Sequence, residues 1–357
     1  MIKNLIICAI LLLGFQLSYA QQTKLLTAEK HNEYGLVYTL PVTAFQVEVT
    51  AVKEIKKAGP FFKYSKIFTS DSQVITKDEE IWSIESVKVT PYGVPDSENR
   101  YLMQLKPGAT TFMSVAEDGM LLAINKEIEP PVLEKIDLNQ IEGTPANGKE
   151  YLEYVNEDFI AAQSGYKKAQ ILAEELMEIR DAKISLTRGT AETMPTDGRQ
   201  LELMLQSLEK QEKALTSAFI GSSWKERIVR TFSFIPEKEA KYILCKVNPT
   251  EGIMDANSKN GEPIYISVKI VEEPQLPVDT KGEEKKLPKD AIMYSIPGTA
   301  NISFTYNGRS LFQKQYSISQ LGTIFGLNPS IFTDKKEPSY AVFDPVTGAL
   351  LELGTLK

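Results

Sequence analysis

Apolar and polar residues alternate with a period of two over most of the chain and with a helical period in one central block. The order is therefore strands, then helices, then strands. In AFQVEVTAV, Phe45, Val47, Val49 and Ala51 alternate with Gln46, Glu48 and Thr50, as in a strand with one buried face. In IWSIESVKVT the apolar set runs Trp82, Ile84, then Val87, Val89, a one-residue slip at Glu85-Ser86 that a β-bulge would absorb. Between these strands, GPFFKYSKIF carries Pro60 at a helix-opening position and Phe61, Tyr64 and Phe68 at helical spacing, which predicts a short helix capping the sheet. RYLMQL, TTFMSVA and MLLAIN follow as short strands, the last two joined at Glu117-Asp118-Gly119, a hairpin signal.

The period changes after residue 150. Leu172, Leu176, Ile179 and Leu186 mark one face of a helix, and Leu201, Leu205, Leu208, Leu215 and Phe219 mark one face of a second. Asp197 suits the N-cap of the second helix with Gln200 closing a capping box, and Gly189 and Gly221 suit the two C-termini. Two such helices on a short linker predict an antiparallel hairpin, its apolar stripe resting on a sheet because an isolated pair is weakly stable. Strands return in RTFSFIP, KYILCKV and PIYISVKIV. Ala300, Ile302, Phe304 and Tyr306 then alternate into Asn307-Gly308, a type I′ turn by composition.

The expectation is an α+β protein in which two β-rich domains or sheets flank a long antiparallel helical hairpin. Its divisions are a signal peptide over 1–20, an N-terminal β-rich domain with one short helix over 21–125 and a linker over 126–150. The helical hairpin covers 151–222, and a C-terminal β-rich domain covers 223–357, with a charged, proline-studded loop at 272–290. SVAEDGMLLAI and AVFDPVTGALLEL, near opposite ends, share a strand, an acidic residue, a glycine turn and a leucine pair. Convergence on a good hairpin accounts for so short a likeness more readily than a repeat.

Composition sets the compartment. Lys3, the apolar run Leu5–Leu17 and Ser18-Tyr19-Ala20 have the form of a secretory signal cleaved before Gln21, and the run is too short to span a bilayer. Cleavage removes one lysine and no acid, taking the net charge from −7 to −8. An acidic chain without a basic block has nothing to offer a phosphate backbone, so nucleic acid is not expected as a partner. Cys245 is then the only cysteine, and the stability of the chain must come from core burial. Ile243, Cys245 and Val247 share a strand face by period, which reads Cys245 as an inert buried hydrophobe.

Candidate chemistry is sparse. The one histidine, His31, lies near the new N-terminus, and one histidine with one cysteine cannot furnish the usual zinc set or the commonest hydrolytic triads. No P-loop or GxGxxG occurs, so no nucleotide cofactor has a handle, and no cofactor or metal is expected. DANSKNGE over 255–262 approaches a calcium loop, but Lys259 and Ile266 stand where ligands belong, and a plain turn is the better reading. Carboxylate pairs remain, in Asp78-Glu79-Glu80 and Glu157-Asp158, though solvated turns are the commoner use of such runs. Trp82 reads as core. PYGVPD reads as a proline-stiffened loop carrying Tyr92, and Tyr92 with Asp96 is one candidate contact. Asp197-Gly198 at the tip of the helical pair is the other.

GPFFKYS, VTPYGVPD, MPTDGRQLELMLQSLEKQEKALTSAFIG and FDPVTGALLEL together resemble an uncharacterised family of exported proteins from Bacteroidetes, known only as a domain of unknown function. The resemblance implies export and carries no catalytic residue, substrate or cofactor. The functional expectation is an exported, non-catalytic binding or structural protein of the periplasm or cell envelope of a Gram-negative bacterium. Its partner would be a protein or glycan of that envelope, with no transmembrane span after cleavage. The rival is a carboxylate-pair glycan hydrolase.

Overall fold

The computed structural model describes residues 22–25, 35–70, 73–104, 111–130, 140–334 and 336–356. The expected signal segment and His31 lie outside the described residues. The first strands are β1 (Gln22–Leu25), β2 (Leu36–Lys57), β3 (Glu79–Gln104), β4 (Met113–Val115), β5 (Leu121–Ile124) and β6 (Gln140–Glu142). Helix α1 (Ser65–Phe68) falls between β2 and β3, and α2 (Glu157–Ala161), α3 (Gly165–Arg188) and α4 (Gly198–Ile220) follow β6. The remaining strands are β7 (Ser222–Phe234), β8 (Ala240–Asn248), β9 (Gly252–Asp255), β10 (Glu262–Glu272), β11 (Ile292–Tyr306), β12 (Arg309–Leu327), β13 (Ser339–Phe343) and β14 (Leu350–Thr355).

Among the described residues the protein is β-rich, with three antiparallel sheets and a small set of helices. The strand orders are β1-β3-β2-β7-β6, β12-β11-β10-β8-β9 and β14-β13-β5-β4. The strands do not pair within the expected divisions. β7, on the C-terminal side of the helices, lies along β2 from Phe45↔Phe234 to Lys57↔Ser222, and β13 lies beside β5. A half-buried strand needs a neighbour on each side, and sequence proximity does not choose it. The expected linker also contributes, through β6, an edge strand to the first sheet.

Phe45, Val47 and Val49 of the first sheet pack against Cys245, Ile264, Ile266, Ile302 and Phe304 of the second, forming one core. A second core joins the third sheet to the far ends of β2, β3, β11 and β12 through Tyr38, Met103, Leu121, Tyr294, Phe325 and Phe343. The expected bulge is present: Thr50 pairs Ser86 and Ala51 pairs Ile84, so Glu85 is the extra residue. Asn307 (φ 47°) and Gly308 (φ 74°) make the expected turn with both central residues left-handed. In β8, however, Cys245 pairs Ile264 while Ile243 pairs Tyr265, so a slip at Leu244 puts Ile243 on the open side, 44% exposed.

The helices have their own core. Phe219, Leu215, Leu172 and Leu176 pack with Phe61, Tyr151 and Phe159, together with partly buried Tyr64 and Phe68. No residue of β1–β14 belongs to this cluster, so the apolar stripe rests on the short segments 59–68 and 150–161 instead of the expected sheet. GPFFKYSKIF therefore docks the helices and does not cap the sheet. The module is joined to the first sheet backbone to backbone: a Cβ on Gly59 would stand 2.4 Å from the Ala218 carbonyl, and one on Gly221 2.5 Å from that of Lys57. Phe61 N–H donates to Ala218 O and Ile75 N–H to Ile220 O, both at 2.9 Å.

The likeness between the two terminal hairpins extends further than the hairpins. β4-β5 and β13-β14 stand side by side in the third sheet. Gly119 O accepts from Thr39 N–H at 2.9 Å, and Gly348 O accepts from Ser295 N–H at 3.0 Å. Around those donors the chain reads YTLPVTA over 38–44 and YSIPGTA over 294–300. The step Thr39 to Pro41 on β2 faces Arg100 to Pro95 on β3, and the step Ile296 to Gly298 on β11 faces Thr323 to Ile318 on β12. Each is a two-residue step opposite a five-residue bulge. Beyond it, Ala44 pairs Tyr92 and Ala300 pairs Tyr316. β2-β3-β4-β5 and β11-β12-β13-β14 are thus two copies of one structural unit, and the expectation of chance convergence gives way to an internal repeat. The copies bury opposite strand faces: Phe45, Val47 and Val49 face the core, and their counterparts Asn301, Ser303 and Thr305 are half-exposed. This phase change hides the repeat from a reading by hydrophobic pattern.

Candidate functional site

The residues singled out from the sequence are held mainly by structural bonds. PYGVPD is not a loop but the middle of β3, with Pro91 opposite Phe45 and Pro95 opposite Pro41. Among the described residues β1 pairs β3 at Tyr101–Gln104 and no strand pairs this stretch on its outer side, where a residue lacking an N–H loses no ladder bond. The Tyr92 ring lies opposite Ala44 and its hydroxyl reaches Ser233 Oγ across β2 at 2.8 Å. It lines a groove of about 400 Å³ with Pro91, Asp118, Met120, Pro345 and Val346, where β3 meets the turns of both repeats. Asp96 accepts from Glu98 N–H at 2.9 Å and Asn99 Nδ2 at 2.7 Å, bonds that shape the β3 bulge. Asp197 caps α4, accepting from Gln200 N–H at 2.7 Å, and Gly198 is the first helical residue. Tyr92 lies on β3 of the first sheet and Asp197-Gly198 at the start of α4, and among the described residues the structure does not bring the two candidates into one cavity.

The carboxylate runs are likewise engaged. Lys57 and the Ala58 N–H hold the Asp78 carboxyl below its ordinary range, and Lys53 does the same for Glu80. Asn156 caps α2 and places Glu157 and Asp158 in its first turn. Cys245 is fully buried, and desolvation pushes its thiol up to about 12. Trp82 is half-buried against Gly252, with Lys53 Nζ 5.8 Å from its ring centroid. Among the described residues no group of three His, Cys, Asp or Glu is placed to hold a metal ion.

A roomier cavity lies elsewhere, a cleft of about 820 Å³ where the helical module meets the first sheet. One wall is the segment 143–154, and the other is the face of α4 that carries Glu209, Glu212, Lys213 and Thr216. Each wall has a local cause. Asn147 N–H donates to Glu150 Oε1 at 2.5 Å and Lys149 N–H to Asn147 Oδ1 at 2.8 Å, turning the chain into the short helical turn Glu150–Tyr154. Tyr151 of that turn anchors it in the helical core. α4 buries Leu215 and Phe219 in the same core, so Glu212, Lys213 and Thr216 at neighbouring positions turn toward the cleft.

Within the cleft, Arg180 Nε and Lys183 Nζ each reach Glu212 at 2.8 Å, and Lys183 with Arg180 holds that carboxyl below its ordinary value. Lys213 Nζ spans the walls to Thr144 Oγ1 at 3.0 Å, and Lys210 stands 3.9 Å from Glu153. Glu150 Oε2 and Thr216 Oγ1 are buried and have no hydrogen-bond partner among the described residues. None of these residues was singled out from the sequence. EGTPANGKEYLEY shows only the prolines and glycines of a connector, and the charged face of α4 looks like any solvated helix face. Two buried polar atoms without partners appear only once both walls are in place.

The fold and the cleft define a β-rich protein built on two copies of a hairpin pair, with a helical module seated on one sheet and a cavity of about 820 Å³ at that junction. No curated protein and no solved structure matches the chain. The chain belongs to the family described as Domain of unknown function (DUF4831), which matches residues 34–351, from before β2 through the helical module to the start of β14.

Proposed function

We propose that this is an exported, non-catalytic binding protein of the periplasm or cell envelope of a Gram-negative bacterium, and that the cleft at the helix–sheet junction is where it takes its ligand. The single observation that carries the binding reading is a roomy cleft whose most strongly anchored acid, Glu212, is tied to Arg180 and Lys183. A carboxyl held down by two cations stays ionised and cannot donate a proton to a leaving group, whereas it orients its neighbours well for recognition. The carboxyls that depart clearly from their ordinary values, Asp78, Glu80, Glu212, Asp334 and Glu352, are all held down. Export rests on the form of residues 1–20 and agrees with a chain in which no described helix is long and apolar enough to cross a membrane. The helices α3 and α4, read as an antiparallel hairpin with Asp197-Gly198 at its tip, present a second surface to a protein partner of the envelope.

The competing reading is a carboxylate-pair glycan hydrolase, favoured by the four glutamates, Glu150, Glu153, Glu209 and Glu212, that line one cleft. A screen of the mature protein against envelope glycans, reading both retention and reducing-end release, separates the two. Retention without release supports the binding protein. Release that disappears in Glu150→Gln or Glu209→Gln replaces it with the hydrolase. Photo-crosslinking from Thr144 in the native envelope tests the placement of the site, and a crosslink pattern unchanged by filling the cleft would move the site elsewhere.

A further inference from the structure

We infer that the cleft between segment 143–154 and α4 takes an uncharged, hydroxyl-rich glycan chain, a ligand class that deepens the binding reading above and depends on it. Charge is nearly balanced in the cleft: four glutamates face Arg180, Lys210 and Lys213. Glu212 is neutralised by Arg180 and by Lys183 behind it, and Lys213 is turned onto the Thr144 hydroxyl. Such a lining has no excess of cations to hold a phosphate or a uronate, and its acids are not gathered on an ion. It does offer carboxylate oxygens, hydroxyls and ammonium groups interleaved over one surface, the mixture of acceptors and donors that a polyol satisfies from both sides.

Two further features point the same way. Glu150 Oε2 and Thr216 Oγ1 are buried polar atoms left without a partner among the described residues, one on each wall. Both atoms are closed off from the cleft as it stands, and a turn of either side chain toward it lets a ligand that brings several O–H groups satisfy them. The bridges across the mouth, Lys213 to Thr144 and Lys210 to Glu153, are exposed polar contacts of the weakly stabilising kind, which a ligand's hydroxyls can replace. Tyr154, half-buried against the helical core, adds an aromatic residue to the lining of the same wall. The volume, about 820 Å³, falls in the range of sites that enclose a ligand of several rings.

Isothermal titration of the full mature chain with neutral hexasaccharides (cellohexaose, chitohexaose, maltohexaose and xylohexaose), and with polygalacturonate and heparin as charged probes, tests the inference. The expected result is binding of at least one neutral hexasaccharide, weakened tenfold or more by Thr216→Val and by Glu150→Gln. Thr144→Trp, at an exposed position on the mouth, should abolish it without altering the melting temperature. Binding of the charged probes alone, binding indifferent to all three variants, or no binding of any neutral hexasaccharide overturns it. Release of reducing ends from a bound hexasaccharide would instead leave the ligand class standing and overturn the non-catalytic reading, so the two failures are distinct.

Discussion

Thr43 is where the three sheets are tied together, and replacing it tests both the architecture and the internal repeat. It is fully buried on β2 beside the bulge. Its hydroxyl accepts from Ser319 N–H at 3.0 Å and donates to Val346 O at 3.2 Å, linking the first sheet to β12 and to the turn before β14. Thr43→Val keeps the volume, so packing is nearly unchanged and the loss is confined to the bonds of the hydroxyl, these two and a 3.2 Å contact with Ser319 Oγ. A part-buried amide and a carbonyl left unpartnered cost on the order of 1–3 kcal/mol each, and partial access to water brings the sum to about 2–3 kcal/mol. The repeat supplies the internal control. Thr299 holds the equivalent place on β11, is half-exposed, and its hydroxyl makes no such bond among the described residues, so Thr299→Val should cost under ~0.5 kcal/mol. Urea unfolding followed by the fluorescence of Trp82 and Trp224, both in the first sheet, measures the two values. Equal costs for the two variants, or a Thr43→Val cost below ~0.5 kcal/mol, would refute the assignment of Thr43 as the junction.

Three more outcomes are expected. Ellman's reagent at pH 8 should leave Cys245 of the folded mature protein unlabelled, because burial keeps the thiol protonated well above that pH, and should label it fully in urea; fast labelling of the folded state would contradict the β8 register. The Glu212 carboxyl is held below its ordinary 4.5, so its contribution is complete above that value and is lost as pH falls through its lower folded pKa. Glu212→Gln should therefore lower the melting temperature at pH 7, with the difference from wild type closing on acidification, and a difference that grows toward low pH would reverse the sign assigned here. Asp197→Ala removes the cap of α4 and should cost about 1 kcal/mol, whereas Asp197→Asn keeps an accepting side chain and should cost much less. Partner binding that survives Asp197→Asn but fails in Asp197→Ala would mark the residue as a cap alone, and loss in both would make it a contact.

Features whose cause is local were legible in the sequence. The bulge at Glu85, the Asp197 cap, the turn at Asn307-Gly308 and the helical stripe through Leu172, Leu215 and Phe219 each follow from side-chain period or backbone preference over a few residues, and each is present. PYGVPD was misread because prolines mark turns only where the strand's N–H groups are needed, and on the outer side of β3, unpaired there among the described residues, they are not. The slip at Leu244 went unseen because a regular period in Ile243, Cys245 and Val247 cannot reveal what the neighbouring strand does.

Tertiary structure decided what lies beside what. That β7 crosses the chain to flank β2, that GPFFKYSKIF seats the helices, and that two hairpins more than two hundred residues apart share a sheet are choices among many sequence-compatible pairings. The repeat became visible through registers and carbonyl acceptors because its copies bury opposite faces, which scrambles the hydrophobic pattern while preserving the backbone path. The cleft is the extreme case. Its walls come from a connector and a helix face with no distinguishing pattern, and its unpartnered Glu150 and Thr216 atoms acquire meaning only when folding removes the water that would have satisfied them.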